Sequence, residues 1–168
     1  MIQIYTGNGK GKTTAALGLA LRALGWGKRV ALLQFLKINS SGELKSLARF
    51  KNCEIRQFGQ EEFITAETAT QDDRQRAEAG CRRAEEILRD GSADLLILDE
   101  INIALHMNLI EISRVQNIIK NCPLEIELVL TGRYCPPEII SRADYVSEIK
   151  EIKHPYREGL TAREGIEY

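Results

Sequence analysis

The sequence has 168 residues, of which 43% are hydrophobic and 28% charged, and these proportions predict one globular domain over residues 1–168. Its 23 basic and 24 acidic residues give a formal net charge of −1 and form no run of one sign, so we expect neither nucleic acid nor an anionic membrane surface as a partner. No apolar stretch reaches the roughly 18 residues of a membrane span and no secretory signal pattern precedes the first strand, which together predict a cytoplasmic protein.

A glycine-rich segment follows a short predicted strand over residues 1–5. It reads Gly7, Asn8, Gly9, Lys10, Gly11, Lys12, Thr13, Thr14. Glycines allow backbone N–H groups to converge on a polyphosphate, because they carry no Cβ. Lys12 supplies a positive charge, the Thr13 hydroxyl can ligate Mg²⁺ (or Mn²⁺), and the helix that opens at Lys12 adds its positive end. The segment therefore predicts a phosphate-binding loop for ATP. It departs from the strict spacing G-x-x-x-x-G-K-[ST], which places glycine at Thr6, and a plain glycine-rich turn is the alternative.

The next segments alternate between helix and strand. Residues 12–24 are rich in alanine and leucine, which predicts a helix buried on most sides, with Gly25 as the residue after its end. The apolar run over residues 28–36 is typical of a parallel strand covered on both faces. Residues 37–51 are polar and carry a short helix over residues 43–50. Because they leave the C-terminal end of a strand, they are either a substrate loop or a plain connector.

The middle of the chain adds a strand, a segment without clear period and a long helix. Residues 53–58 predict a weaker strand, and residues 59–70 form a second candidate lid or substrate segment. Residues 71–89 have the apolar stripe of an amphipathic helix, so their charged side chains are expected to face solvent.

Two acidic residues follow the next buried strand, which is predicted over residues 93–98. They are Asp99 and Glu100. A carboxylate at a strand end lies beside the phosphate-binding loop when the two strands are neighbours, and it can hold Mg²⁺ directly or through water. The predicted metal ligands are therefore Thr13, Asp99 and Glu100.

The C-terminal part continues the alternation. Residues 101–107 lead to a helix over residues 109–120, and residues 125–130 form another strand. Arg133 follows the tip of that strand, where it can meet phosphate or ribose oxygens or form a surface salt bridge.

The last predicted elements are a short helix over residues 136–143, a strand over residues 144–152 and a polar tail over residues 154–168. Strands that alternate with helices from end to end predict a single, mostly parallel α/β sheet with helices on both faces. Together with the phosphate-binding loop, this pattern indicates the RecA-like fold of P-loop NTPases.

Several stretches outside the loop share a family pattern. They are Gln34-Phe35 with Lys37, Gly42-Glu43, Leu98-Asp99-Glu100-Ile101-Asn102, Thr131-Gly132-Arg133, Ala143-Asp144 with Val146 and Glu148, and Lys153-His154 with Gly165-Ile166. With the loop, this ordered set resembles the P-loop type of ATP:corrinoid adenosyltransferase. The resemblance implies transfer of the 5′-deoxyadenosyl group of ATP to Co(I) of a reduced corrinoid, cobalamin or cobyrinic acid a,c-diamide, with release of triphosphate. It also implies a reducing flavoprotein as electron donor and a homodimer.

The resemblance assigns roles to individual residues. Lys12, Thr13 and Glu100 are the implied catalytic residues, because they or the metal they hold stabilise the charge that accumulates on the departing triphosphate. Asn102 and Arg133 are implied to position ATP.

The sequence departs from the family pattern on the corrinoid side. Many members carry an N-terminal segment ahead of the first strand, whereas here Met1 opens that strand. Ile38-Asn39-Ser40 stands where the family has a glycine and an aromatic residue, and Phe63-Ile64-Thr65-Ala66 lacks the family tryptophan. We therefore expect weak corrinoid binding, a variant corrinoid, or cover from a partner subunit.

Two other functions remain open from the residues alone. In a RecA-like ATPase or phosphotransferase, Glu100 activates a water molecule for attack on the γ-phosphate. In a non-catalytic sensor, nucleotide and corrinoid bind without reaction. Product analysis separates the three, because adenosyl transfer releases triphosphate, hydrolysis releases phosphate, and a sensor releases neither.

Overall fold

The computed structural model describes residues 1–38, 41–62, 64–154, 159 and 161–166. The strands of this part are β1 (Ile2–Thr6), β2 (Val30–Phe35), β3 (Cys53–Phe58), β4 (Leu95–Asp99), β5 (Glu127–Thr131) and β6 (Tyr145–Glu148). The helices are α1 (Lys12–Gly25), α2 (Gly42–Leu47), α3 (Gln71–Asp90), α4 (Ile101–His106), α5 (Ile112–Lys120) and α6 (Pro137–Ile140). The strands form one parallel sheet in the order β3-β2-β4-β5-β1-β6.

The core lies in two layers, one on each face of the sheet. Successive residues of a strand point to opposite faces, so Leu32 joins one layer and Leu33 the other. The layer of Leu32 includes Ala16 and Ala20 of α1, and the layer of Leu33 includes Ile87 of α3. Because helices cover both faces, β2 and β4 are buried along their whole length, which explains their nearly continuous apolar sequences. The predicted sheet with helices on both faces is confirmed.

The strands that carry the loop and the acidic pair are separated in the sheet. The sequence-based argument places Asp99 beside the loop on the condition that β1 and β4 are neighbours, and this condition is not met. β5 lies between them and pairs with both. The two ends still meet, because α1 packs across β1, β5 and β4.

The helix α1 ends one residue later than predicted, and its terminating glycine lies two residues later than predicted. Gly25 belongs to the helix, and Gly27 adopts the left-handed conformation with φ 72°. The N–H of Gly27 donates to the carbonyl of Leu24 at 2.9 Å, and that of Lys28 donates to Ala23 at 3.1 Å. These two bonds satisfy carbonyls at the helix end, so Gly27 is the terminating glycine.

Two later boundaries also differ from the sequence-based prediction. Residues 101–107, predicted as a lead-in, contain the separate helix α4, and α5 begins at Ile112 after a left-handed Asn108 (φ 54°). The last strand is shorter than predicted and ends at Glu148. Across the described ranges, no helix is both long and apolar enough to span a bilayer.

Candidate functional site

A cleft of about 840 Å³ opens at the C-terminal edge of the sheet, beside the loop between β1 and α1. The loop, the first turns of α1, the segment around α2 and part of the C-terminal tail form its walls. The lining residues are Gly9, Lys10, Gly11, Lys12, Thr13, Thr14, Leu17, Gly18, Leu21, Lys37, Gly42, Glu43, Ser46, Leu47, Phe50, Glu100, Arg133, His154, Gly165 and Ile166. Much of the predicted phosphate-binding loop therefore faces this cleft.

The loop packs tightly against the chain that leaves β6. The N–H of Gly9 donates to the carbonyl of Ile149 at 2.7 Å. A Cβ on Gly7 would lie 2.5 Å from that carbonyl oxygen, and one on Gly9 would lie 2.7 Å from the carbonyl oxygen of Lys150. Gly7 also has a φ of 94°, which side chains disfavour. These glycines are therefore required by the contact with Ile149 and Lys150 as well as by any ligand.

Lys12 begins α1 with its side chain folded over the loop. The residue is 7% exposed, and its Nζ donates to the carbonyl oxygens of Gly7 and Gly9, each at 2.7 Å. Burial lowers the pKa of Lys12 below the usual lysine value, and the nearby carboxylate of Glu100 offsets part of this effect. The ammonium group thus stands at the mouth of the loop, where phosphate oxygens would replace the two carbonyls as its partners.

Asp99, the last residue of β4, is fully buried and accepts four hydrogen bonds. Its Oδ1 accepts from Thr13 at 2.9 Å and from Thr131 at 2.6 Å. Its Oδ2 accepts from Gln34 at 3.1 Å and from Lys37 at 2.9 Å. Burial alone would raise the pKa of Asp99, but the Lys37 ammonium and these bonds hold it below the usual range. An ionised carboxylate therefore touches the first turn of α1.

Glu100 follows Asp99 in the left-handed conformation, with φ 65°. Its N–H donates to Oγ1 of Thr131 at 3.0 Å, and its Oε1 lies 3.7 Å from Nζ of Lys37. Its Oε2 is buried and, within the part of the chain that the structure describes, has no hydrogen-bond partner. Burial raises the pKa of Glu100. A buried carboxylate oxygen with this freedom is available to a ligand.

The donor set of the three predicted metal residues suits a hard cation. Thr13, Asp99 and Glu100 offer one hydroxyl and two carboxylates, and all three donors are oxygen. Mg²⁺ prefers oxygen ligands and usually keeps several waters and substrate phosphates in addition to one or two carboxylates. Among the residues with described positions, no group of three or more His, Cys, Asp or Glu could hold a metal ion. The residues present therefore fit a cation that arrives with phosphate rather than one enclosed by protein ligands alone.

The remaining predicted residues lie in different surroundings. Arg133 is exposed and lines the cleft, where its positive charge lowers the pKa of Lys12 and of Glu100. Asn102 is fully buried behind this wall, and its Nδ2 donates to the carbonyl of Gly132 at 3.2 Å. Asn102 thus holds the turn that presents Arg133. Asn8 is an exposed residue at the outer side of the loop.

Three residues of the site received no individual role from the sequence. They are Gln34, Lys37 and Thr131, and each contacts Asp99 directly. Gln34 is the register partner of Asp99 on β2. Gln34 and Thr131 could have been found from the sequence, because each is a polar residue near the end of an otherwise apolar strand. A polar group that is buried in this way requires a hydrogen-bond partner.

A second cavity of about 300 Å³ adjoins the cleft. It is lined by Leu36, Lys37, Ile38, Gln60, Glu61, Glu62, Ile64, Glu100, Ile103 and Met107. Lys37 and Glu100 line both spaces, so they stand where the two meet. Residues 60–62 and 64 belong to the predicted lid or substrate segment. Of the two stretches that depart from the family pattern, Ile38 and Ile64 line this cavity, and Asn39, Ser40 and Phe63 lie outside the described residues.

The sequence comparisons with known proteins all indicate the same enzyme family. The family model described as ATP:corrinoid adenosyltransferase BtuR/CobO/CobP matches residues 1–168. A corrinoid adenosyltransferase of Pseudomonas aeruginosa is 38% identical over 173 residues, which covers 100% of this chain and 83% of the relative. A corrinoid adenosyltransferase of Escherichia coli K12 is 34% identical, and corrinoid adenosyltransferase CobA of Salmonella typhimurium is 32% identical, each alignment covering 100% of this chain and 85% of the relative.

A solved structure also shares the fold. A KaiC-like protein from Pyrococcus horikoshii superimposes with a TM-score of 0.57 and 15% sequence identity, covering 90% of this chain and 73% of that one. At this identity the likeness concerns the fold alone. It agrees with the predicted α/β sheet with helices on both faces.

Proposed function

This chain belongs to the family of ATP:corrinoid adenosyltransferases, and we propose that its cleft holds ATP for transfer of the 5′-deoxyadenosyl group to Co(I) of a corrinoid. In this reaction the electron pair of Co(I) attacks C5′ of the ribose and forms the Co–C bond. The C5′–O bond breaks, and triphosphate leaves with its electron pair. The protein therefore has to align cobalt with C5′ and stabilise the leaving group.

The observation that carries the proposal is the contact between Thr13 and Asp99. Oγ1 of Thr13 lies 2.9 Å from Oδ1 of Asp99, directly beside the buried ammonium of Lys12. A phosphate-binding loop, a lysine and a hydroxyl–carboxylate pair thus converge on one wall of a cleft. We propose that loop N–H groups, Lys12 and Arg133 bind the triphosphate oxygens, and that they bind more strongly as negative charge develops on the leaving oxygen.

We also propose that Thr13, Asp99 and Glu100 hold Mg²⁺ or Mn²⁺ at this wall. The unpartnered Oε2 of Glu100 and the all-oxygen donor set support this assignment. When bound, the metal would neutralise part of the charge of the triphosphate. The residues contribute the geometry: Asp99 anchors the Thr13 hydroxyl, and Thr131 fixes the backbone of Glu100.

We propose that the corrinoid lies over the second cavity. Lys37 and Glu100 are shared by both spaces, and Co(I) has to approach ATP from a neighbouring space. The apolar residues Ile103 and Met107 line this cavity, and at about 300 Å³ it holds one edge of the macrocycle rather than the whole. Glu61 and Glu62 also line the second cavity.

The charge of this rim favours one kind of corrinoid. Glu61 and Glu62 are acidic residues, and both are exposed at the cavity. Like charges repel, so neutral amide side chains suit this rim better than carboxylates. We therefore propose that cobalamin, whose peripheral acids are amidated, is preferred over cobyrinic acid a,c-diamide, which keeps several free carboxylates.

Two partners follow from the chemistry and the family. Co(I) forms by one-electron reduction of Co(II), so we propose a flavoprotein as the electron donor. We propose a homodimer as the assembly. The edge strand β6, whose four residues are all exposed, supports it as a surface that another chain could cover.

An anaerobic incubation tests the proposed activity. The protein is mixed with Mg-ATP and chemically reduced Co(I) cobalamin, and the corrinoid spectrum is followed. We expect a product with the spectrum of an alkylated corrinoid, and this spectrum should be lost on exposure to light. An unchanged spectrum with both cobalamin and cobyrinic acid a,c-diamide would contradict the proposal.

A further inference from the structure

Lys37 places a positive charge between the two carboxylates proposed to hold the metal. Its Nζ lies 2.9 Å from Oδ2 of Asp99 and 3.7 Å from Oε1 of Glu100. The Asp99 side chain is completely buried, whereas the Lys37 side chain is 30% exposed. The ammonium therefore neutralises buried negative charge from a position that still opens to solvent.

The backbone fixes this position. Leu36 adopts a left-handed conformation with φ 63° at the end of β2, which turns the chain so that Lys37 points back toward Asp99. Gly59 packs against this turn so closely that a Cβ there would lie 2.2 Å from the backbone nitrogen of Lys37. The N–H of Leu36 also donates to the carbonyl of Phe58 at 3.1 Å. The ammonium is thus presented by a supported turn rather than by a loose side chain.

An ammonium group and a divalent cation require the same carboxylate oxygens. Both are hard cations that bind anionic oxygen, and two positive charges a few ångströms apart repel each other strongly in a partly buried site. Lys37 also lines the cleft, so phosphate oxygens can become its alternative partners when a triphosphate is present.

We propose that Lys37 is a built-in competitor of the divalent cation at Asp99 and Glu100, so that the metal binds together with the triphosphate rather than alone. The inference rests on the proposed function of the cleft. When metal and triphosphate arrive together, Lys37 exchanges the carboxylates for phosphate, and the metal takes its place beside Asp99 and Glu100. Binding of metal and nucleotide is thereby coupled through one side chain.

A purely structural role for Lys37 predicts the opposite result. If Lys37 only held Asp99 in place, its removal would disorder the carboxylate and weaken metal binding. Competition predicts that removal strengthens metal binding in the absence of nucleotide. The sign of the change therefore separates the two roles.

The test measures Mn²⁺ binding to the purified protein without nucleotide, from the electron paramagnetic resonance signal of free Mn²⁺. Lys37→Met keeps the length of the side chain and removes its charge, and Lys37→Gln is a second variant for the case in which methionine prevents folding. Lys45→Met is the matched control, because Lys45 is an exposed lysine of α2 and the same charge is lost. Thermal unfolding of each variant verifies the fold.

We expect Lys37→Met or Lys37→Gln to lower the Kd for Mn²⁺ about tenfold or more, as loss of a unit charge at this distance implies. Lys45→Met should leave this Kd within about twofold, because exposed charges are screened. An unchanged or higher Kd in folded Lys37 variants would overturn the inference. Titration of wild type in the presence of ATP tests the proposed function separately, since absence of Mn²⁺ binding there would contradict the metal site itself.

Discussion

Thr131 hydrogen-bonds both members of the acidic pair. Its Oγ1 donates to Oδ1 of Asp99 at 2.6 Å and accepts from the backbone N–H of Glu100 at 3.0 Å. Thr131 is the last residue of β5, the strand that separates the loop strand from the strand of Asp99. The inserted strand therefore contributes the side chain that binds the Asp99 carboxylate and fixes the backbone of Glu100, which lines the cleft.

Thr131→Val should weaken both stability and metal use. Valine has the shape of threonine but leaves the N–H of Glu100 and one bond of Asp99 unsatisfied, which costs about 1–3 kcal/mol in unfolding free energy. We expect the Mg²⁺ concentration for half-maximal activity to rise several-fold, because the carboxylates lose their orientation. Thr131→Ser keeps the hydroxyl and should restore the metal response. A wild-type metal response in Thr131→Val would remove Thr131 from this role.

Lys12→Ala should abolish productive triphosphate binding while the fold is retained. The ammonium at the loop mouth is replaced by a methyl group, and the remaining loop N–H groups cannot supply its charge. We expect the Kd for ATP, measured by calorimetry, to rise about 100-fold or more, in the range of a lost charge-assisted contact in a partly buried site. Lys51→Ala, which removes an exposed lysine, serves as the control. Turnover by Lys12→Ala at the wild-type rate would disprove the assigned role.

Glu100→Gln should raise the Mg²⁺ requirement. Glutamine keeps the volume of the side chain and one oxygen, but it removes the charge that the buried and unpartnered Oε2 carries. We expect the Mg²⁺ concentration for half-maximal activity to increase about tenfold, because a neutral amide is a weaker ligand for a hard cation. Glu138 is an exposed residue of α6, and Glu138→Gln should leave the Mg²⁺ concentration for half-maximal activity unaltered. An unaltered response in Glu100→Gln would place the metal elsewhere.

The start of α3 gives a pH-dependent prediction. Asp73 and Thr70 form a reciprocal cap, in which Oδ2 of Asp73 accepts from the N–H of Thr70 at 2.9 Å. Burial alone would raise the pKa of Asp73, but its bonds to Thr70 and the nearby Arg76 hold it below the usual value. A lowered pKa contributes stability that is present above the unfolded pKa and is lost as pH falls through the folded pKa.

Asp73→Asn should therefore lower the unfolding free energy at neutral pH by about 1 kcal/mol, which is typical of a lost helix cap. The difference from wild type should begin to shrink as pH falls below the usual aspartate pKa of about 4, where the unfolded chain takes up the proton, and it should vanish as pH falls through the lowered pKa of the folded protein. Denaturant unfolding between neutral and acidic pH measures it. Asp72→Asn, in the same turn but with a 74% exposed side chain, is the control. A difference that stays constant with pH would show that the carboxylate charge has no part in the cap.

The acidic rim of the second cavity predicts a substrate preference. Replacing Glu61 and Glu62 together with glutamine removes two negative charges beside the proposed corrinoid edge. The ratio of kcat/KM for cobyrinic acid a,c-diamide to that for cobalamin should rise several-fold, because repulsion of the free carboxylates is relieved. A double change of the exposed residues Glu125 and Glu138 to glutamine removes the same charge elsewhere and should leave the ratio unchanged. Equal ratios in all three proteins would exclude the rim from specificity.

The sequence predicted the fold and the loop well because local patterns determine them. The apolar run that became β2 and the glycine-rich segment before α1 both depend on neighbouring residues in the chain. The order of the strands does not follow from such patterns, so the insertion of β5 between β1 and β4 was missed. For the same reason the roles of Gln34 and Lys37 appeared only in the structure, since their contacts with Asp99 cross more than 60 residues of chain.

The position of Asn102 differs from what its family motif implies. The family resemblance predicts that Asn102 positions ATP, whereas in the structure its side chain is buried against Gly132. A direct contact with ATP stays a prediction. A motif identifies which residues act together, but the distance of each from the ligand depends on packing that the motif does not specify.

The most direct test of adenosyl transfer is the phosphorus product. Wild-type protein is incubated anaerobically with Mg-ATP, with and without Co(I) cobalamin, and the products are identified by phosphorus-31 NMR while the alkylated corrinoid is quantified by its absorbance. We predict intact triphosphate in equal amount to the new Co–C bond, and unconsumed ATP where cobalamin is omitted. Formation of ADP and phosphate at the same rate with and without cobalamin would contradict adenosyl transfer and identify the protein as an ATPase on a shared fold.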